Sequence, residues 1–326
     1  MKIRPVIFKR FVAVLAILTL FFLVKMFIET QDAGQKEEST SVEETAAPAA
    51  EAQDVEAGST EEEDPVADDA DAEEEAAAPP AVDSAVGEII RIDPRVDSLI
   101  PVDATIEKLA DGFTFIEGPV WDRQNSRLFF SDVRGNEIYQ WSEADGVSTF
   151  IDPVFEGDRS GKRSISSNGL TFDTEGRLII CEHGNRRISR LEEDGSRSLV
   201  VESYGDGQLN SPNDAVFASD GSLYFTDPSY GLEGLEASPD RELDFNGIYR
   251  LKPDGELVLL IRDQTRPNGI ALSPDETTLY VANSDAENKV WMAYDIAETG
   301  ASNARVFYDV NDQASVGAAD GMKVDL

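Results

Sequence analysis

Cysteine and histidine each occur once in the 326 residues, as Cys181 and His183. A lone cysteine excludes an internal disulfide, and together the two singletons exclude a zinc site of thiolates and imidazoles. No Ser-x-Gly elbow lies near His183, which excludes a serine-histidine-acid triad and leaves that residue a hydrogen-bonded structural role at a strand end. Basic residues are scarce as well: 28 Lys and Arg stand against 64 Asp and Glu, a formal charge of −36. Such a balance argues against a nucleic acid partner, because phosphate recognition needs a cationic face. Amphipathic helical periodicity is missing from the C-terminal two-thirds, so a helical or α/β architecture is not expected there.

The chain is not homogeneous. The one long apolar run, residues 11–28, is interrupted only by Thr19 and Lys25. It follows Lys2, Arg4, Lys9 and Arg10 and precedes acidic sequence. That asymmetry predicts a membrane-anchoring helix over residues 1–28, with the bulk of the chain on the extracytoplasmic, periplasmic side. A cleaved signal peptide, giving a secreted protein, is the rival reading, but no small-x-small site follows the run closely. Residues 29–85 hold 20 Asp or Glu against the single Lys36. Poor in large apolar side chains, this stretch cannot bury enough surface to fold, and it predicts a disordered acidic linker. Residues 86–326 form the expected globular domain.

Within that domain five pairs of an oxygen-bearing residue and Gly or Asp recur at nearly even spacing, each at the start of an apolar run: Glu117-Gly118, Asn168-Gly169, Asn213-Asp214, Asn268-Gly269 and Asp320-Gly321. The first members are separated by 51, 45, 55 and 52 residues, a period proper to propeller blades. Each pair opens an apolar run, followed by a turn and a second run bounded by Gly, Asp, Asn or Pro. Examples are Leu223-Tyr224-Phe225-Thr226-Asp227 and Leu279-Tyr280-Val281-Ala282-Asn283. The fold class is therefore all-β, a β-propeller of four-stranded blades. Taken singly, each pair is an ordinary turn dipeptide. Their common register at the start of every blade argues instead for a ring of oxygens around one axis.

In order, the chain carries Glu117-Gly118-Pro119-Val120-Trp121, then Cys181-Glu182-His183-Gly184-Asn185-Arg186-Arg187, then Leu209-Asn210-Ser211-Pro212-Asn213-Asp214. Tyr224-Phe225-Thr226-Asp227-Pro228-Ser229-Tyr230-Gly231, Arg266-Pro267-Asn268-Gly269 and Asp320-Gly321-Met322-Lys323-Val324-Asp325 follow. From about Ile89 onward this resembles the family of gluconolactonases, senescence-marker protein and luciferin-regenerating enzyme, in particular its bacterial gluconolactonase-like members. The resemblance implies a six-bladed propeller, of which four to five blades are expected here in a chain truncated at its C-terminus. It implies a divalent cation, most often calcium, held at Glu117, Asn213, Asn268 and Asp320, with Asp320 the general base. Asn168 opens its blade equivalently and is assigned to substrate or ordered water, and Asp214 to substrate or to support of Asn213.

Two carboxylates and two amide oxygens are hard donors suited to calcium, with magnesium or manganese also admitted. The expected activity is metal-dependent opening of a sugar lactone. Phosphotriester hydrolysis on a similar axial site, as in diisopropylfluorophosphatase, is the enzymatic alternative. A membrane-tethered binding module without catalysis is the non-enzymatic one. Trp121 and Phe172 are expected in the packing between strands, and Arg186 and Arg187 paired with surface acids.

Overall fold

A computed structural model describes residues 87–91, 93–312 and 317–324. The expected anchor and linker, residues 1–85, lie outside these, and no helix among the described residues is long and apolar enough to cross a membrane. The described chain is all-β, with two short 3-10 turns at Pro94–Ser98 and Leu235–Ala237.

Four antiparallel sheets of four strands follow one another along the sequence. The first holds β1 (Ile116–Asp122), β2 (Arg127–Asp132), β3 (Glu137–Ser142) and β4 (Gly146–Ile151). The second holds β5 (Ser167–Phe172), β6 (Leu178–Glu182), β7 (Arg187–Leu191) and β8 (Arg197–Val201). A two-stranded ribbon, β9 (Ser203–Tyr204) and β10 (Gly207–Gln208), leads to the third sheet. That sheet comprises β11 (Ala215–Phe217), β12 (Leu223–Asp227), β13 (Gly247–Leu251) and β14 (Leu257–Ile261). The fourth comprises β15 (Pro267–Leu272), β16 (Thr278–Asp285), β17 (Asn288–Ala297) and β18 (Gly300–Asp309). Every sheet is a simple meander, and its first strand packs against the first strand of the next: β1 on β5, β5 on β11, β11 on β15.

This stacking explains why the second strand of each sheet reads as an unbroken apolar run rather than an alternating one. A strand covered on both faces buries both sets of side chains. In β6, Leu178 and Ile180 meet Phe129, Ile138 and Leu170 of the preceding interface, whereas Ile179 and Cys181 meet Leu223, Phe225 and Tyr249 of the next. In β12 the division repeats, with Tyr224 turned to Ile270, Leu279 and Val281. Phe172 packs into the first interface, as expected.

Two expectations are corrected. Ile89-Ile90-Arg91-Ile92 and Ile106-Glu107-Lys108-Leu109 read in sequence as an outer strand and lead-in, but 89–91 and 106–109 belong to no strand among the described residues. Side chains organise this segment instead. Asp93 caps the 3-10 turn through Arg95 N, and Arg91 binds the carbonyls of Ile100 and Pro101. Arg186 does pair with an exposed acid, Glu242, at 3.4 Å, but that acid is not its main partner. The arginine is 6% exposed, and its guanidinium donates to the carbonyls of Leu209, Gln208 and Asp240. A planar five-donor group suits a loop crossing whose carbonyls lack ladder partners. Arg187 likewise turns inward, to the fully buried Glu182.

Candidate functional site

Four of the five pairs lie at the first-strand edge of successive sheets. Glu117, Asn168 and Asn268 sit in β1, β5 and β15, at a register shift that falls between Glu117 and Val120, Ser167 and Leu170, and Pro267 and Ile270. A bulge re-aims the side chain it carries, and here the same device recurs at the same place in three first strands. Asn213-Asp214 immediately precedes β11, and Asp320-Gly321 lies beyond β18.

At Gly118, Gly169 and Gly269 glycine is required by proximity. A Cβ on Gly169 would fall 2.5 Å from the carbonyl oxygen of Asn213, and one on Gly269 would fall 2.6 Å from that of Asp320. On Gly118 it would strike Asn168, and the φ of +58° at Gly118 is itself a glycine conformation. The pairs therefore pass edge to edge, joined by direct bonds. Gly169 N donates to Asn213 O at 2.7 Å, Ser131 Oγ to Asn168 O at 2.8 Å and Thr226 Oγ1 to Asn268 O at 2.7 Å.

A second set of residues, absent from the sequence expectations, holds the lead-in to three of the pairs. Asp132 accepts Thr114 N and Phe115 N, Asp227 accepts Asn210 N and Ser211 N, and Asn283 accepts Arg266 N. Asp132 and Asp227 close the second strands of their sheets and Asn283 lies just short of the end of β16, each 14 or 15 residues after the pair member it supports. That constant offset was the available signal. In the second sheet the equivalent residue, Glu182, bonds Asn185, Arg187, Ser189 and Arg197 instead.

The candidate oxygens differ in what they already bond. Asn213 is 2% exposed, and its Oδ1 has no hydrogen-bond partner among the described residues. Asn268 Nδ2 donates to Ser284 Oγ at 2.9 Å, and the Tyr230 hydroxyl joins the same two side chains. Asn168, 8% exposed, lies between the Ser131 hydroxyl and the backbone of Gly118. Asp214 is committed to structure: its carboxylate accepts Ala215 N and Ile270 N, and Lys323 Nζ lies 3.9 Å away.

Burial pushes the Glu117 carboxyl well above its usual range, and the charges of Asp320 and Asp214 push it further. Burial also lifts Asp320 to about 6, with Asp214 adding to the lift, while Gly321 N and Asn268 pull against it. Carboxylates on different blades thus repel one another across the axis. Among the described residues no three His, Cys, Asp or Glu side chains converge as a ligand group. The candidate set is accordingly half amide, with Glu117 and Asp320 its only acids. Repelling carboxylates beside an orphaned amide oxygen fit a hard divalent cation.

His183 takes the structural place expected of it. It is 2% exposed, its Nδ1 meets Ser164 Oγ at 3.1 Å, and its Nε2 has no partner among the described residues. No carboxylate orients the ring, so the Ser164 contact lacks the third member of a triad.

Comparison with known proteins agrees with this geometry. The chain is 38% identical over 252 residues to a gluconolactonase of Zymomonas mobilis, covering 74% of this chain and 70% of that protein. A solved gluconolactonase from Xanthomonas campestris superposes with a TM-score of 0.58 at 35% identity, covering 67% of this chain and 69% of that one. A luciferin-regenerating enzyme shares the fold at 19% identity, with a TM-score of 0.51 and coverage of 65% and 66%. The family described as the SMP-30/Gluconolactonase/LRE-like region matches residues 115–326, and the chain belongs to that family.

Proposed function

We propose that this protein is a metal-dependent hydrolase that opens a sugar lactone. The observation that carries the reading is the side-by-side packing of five pairs, which gathers Glu117, Asn213, Asn268 and Asp320 and leaves Asn213 Oδ1 unsatisfied. These four residues would hold the cation, calcium in the first instance and magnesium or manganese otherwise. When bound, it would supply charge stabilisation to the lactone carbonyl.

The chain's own groups supply the rest. Asp320, raised to about 6, is a stronger base than an ordinary carboxylate yet is still ionised at neutral pH. It takes a proton from the water whose oxygen adds to the carbonyl carbon. The ring C–O bond then breaks and the departing alkoxide recovers a proton, giving the open hydroxy acid. Asn168, between the Glu117 and Asn213 positions, offers an amide to a sugar hydroxyl. Tyr230, linked to Asn268 and Ser284, keeps the Asn268 amide in one orientation. The architecture proposed for the parent is the family's six-bladed propeller, on the extracytoplasmic side.

The deciding experiment is initial-rate hydrolysis of gluconolactone by the full chain, stripped of metal and then given calcium, beside Asp320→Asn. Calcium-restored activity that the variant lacks is the expected result. Turnover of phosphotriesters but not lactones would replace the substrate class. A folded protein that binds calcium without turning over either class would be a binding module.

A further inference from the structure

Lys323 stands three residues beyond Asp320, in the segment that brings the fifth pair against Gly269. Its ammonium lies 3.9 Å from Asp214 Oδ2, with the Asp214 side chain 9% exposed and its own 42%. Asp214 is the one second-position residue of the five pairs that is not glycine. It therefore adds a third carboxylate to Glu117 and Asp320, and its charge bears on both. Because Asp214 is occupied by two backbone N–H groups, it is a nearby charge and not a ligand. The charge of Lys323 bears on Glu117 and favours the ionised carboxylate there.

We infer that Lys323 sets the charge of the axial site, cancelling Asp214 so that the net field matches a divalent ion. This rests on the reading of the axis as a divalent-cation site. Three carboxylates and one ammonium leave a formal −2, the complement of calcium. Without Lys323 the field would be −3 and would favour a trivalent ion. Lys323 is thus a selectivity-determining residue that touches neither ion nor substrate.

The interaction of one fixed charge with a bound ion scales with the ion's charge. A Lys323→Met change that tightens calcium about fivefold should therefore tighten terbium(III) about elevenfold, the three-halves power of the same factor. Lys323→Glu doubles the charge change and should square both factors, whereas Lys323→Arg should match wild type. Raising the salt concentration should shrink every difference by screening.

The test is calorimetric titration of the full chain with calcium and with terbium(III), for wild type and the three variants. Thermal melts in EDTA verify that each is folded. Lys323 is exposed enough that neither Met nor Glu disturbs a core, and Arg supplies the conservative rescue. Charge-scaled tightening in Met and Glu, absent in Arg, bears the inference out. Wild type that binds while Lys323→Met leaves both affinities unchanged, or moves both equally, overturns it and leaves the divalent site standing. Wild type that binds neither ion overturns the divalent site, and this inference with it.

Discussion

The carbonyl oxygen of Asp320 lies 2.6 Å from the point that a Cβ on Gly269 would occupy, and the Cα of Gly321 lies equally close. Gly269 is therefore the surface against which the fifth pair is seated. Gly269→Ala must push that backbone away, because neither neighbour is a flexible side-chain end. The expected cost is about 1–3 kcal/mol of stability, typical of overpacking, with at least a tenfold loss of calcium affinity. Gly321→Ala is the matched control, since no atom among the described residues lies within 4 Å of its added carbon. Thermal melts and calcium titration of both variants decide the matter. Equal behaviour would mean that the packing at Gly269 does not position Asp320.

Asn213 should show stability and binding pulling apart. Its Oδ1 is buried without a partner, which costs about 1–3 kcal/mol in a metal-free protein. Asn213→Leu, of similar shape, removes that penalty. In EDTA the variant should melt at or above the wild-type temperature. With calcium in hundredfold excess over Kd, wild type should gain about 2.7 kcal/mol and the variant nothing. A variant that still gains stability from calcium would remove Asn213 from the ligand set.

The axial pairs were legible because a propeller converts sequence period into spatial register. Glu117, Asn168, Asn213, Asn268 and Asp320 recur at blade spacing, and the bulges of β1, β5 and β15 fall beside them. The second strands were equally legible, since burial on both faces leaves runs such as Leu178-Ile179-Ile180-Cys181. The supports were not. Asp132, Asp227 and Asn283 lie at or near strand ends, where acids and amides are ordinary turn formers. A constant offset marks their positions, but it is the donors they meet, 16 or 17 residues upstream for Asp227, that reveal their role. Arg186 misled for a related reason: composition says that arginines face water, but irregular loop carbonyls need donors wherever they are buried.

Glu182 should be among the least replaceable residues outside the axis. It is fully buried, and its oxygens accept from Arg187 and Arg197 at 2.9 Å, from Ser189 and from Asn185. Glu182→Ala leaves two guanidiniums facing an emptied, water-poor site. Breaking a buried pair costs about 3–5 kcal/mol. The lower end applies here, because the arginine side chains keep 26% and 21% of their exposure. Urea unfolding of Glu182→Ala should register about 3 kcal/mol. A change below 1 kcal/mol, on the same scale, would show that the arginines find water instead.

His183 predicts a component of acid lability that belongs to one residue. Burial depresses its pKa from 6.5 to about 3, with the nearby Arg163 charge adding to the fall. The folded state thus holds the ring neutral where the unfolded chain would protonate it. Stability from this group is intact above pH 6.5 and drains away as the pH falls toward 3. By pH 4 the loss amounts to about 3 kcal/mol, at roughly 1.4 kcal/mol per pH unit. Carboxylates titrate over the same range, so the measurement is the difference between wild type and His183→Gln in urea at pH 7, 5.5 and 4. Glutamine retains a polar group for Ser164 and cannot take the proton, so its profile should be flatter by that amount. Parallel profiles would mean that His183 gains a proton in the folded state without cost, and that the buried Nε2 has water to receive it.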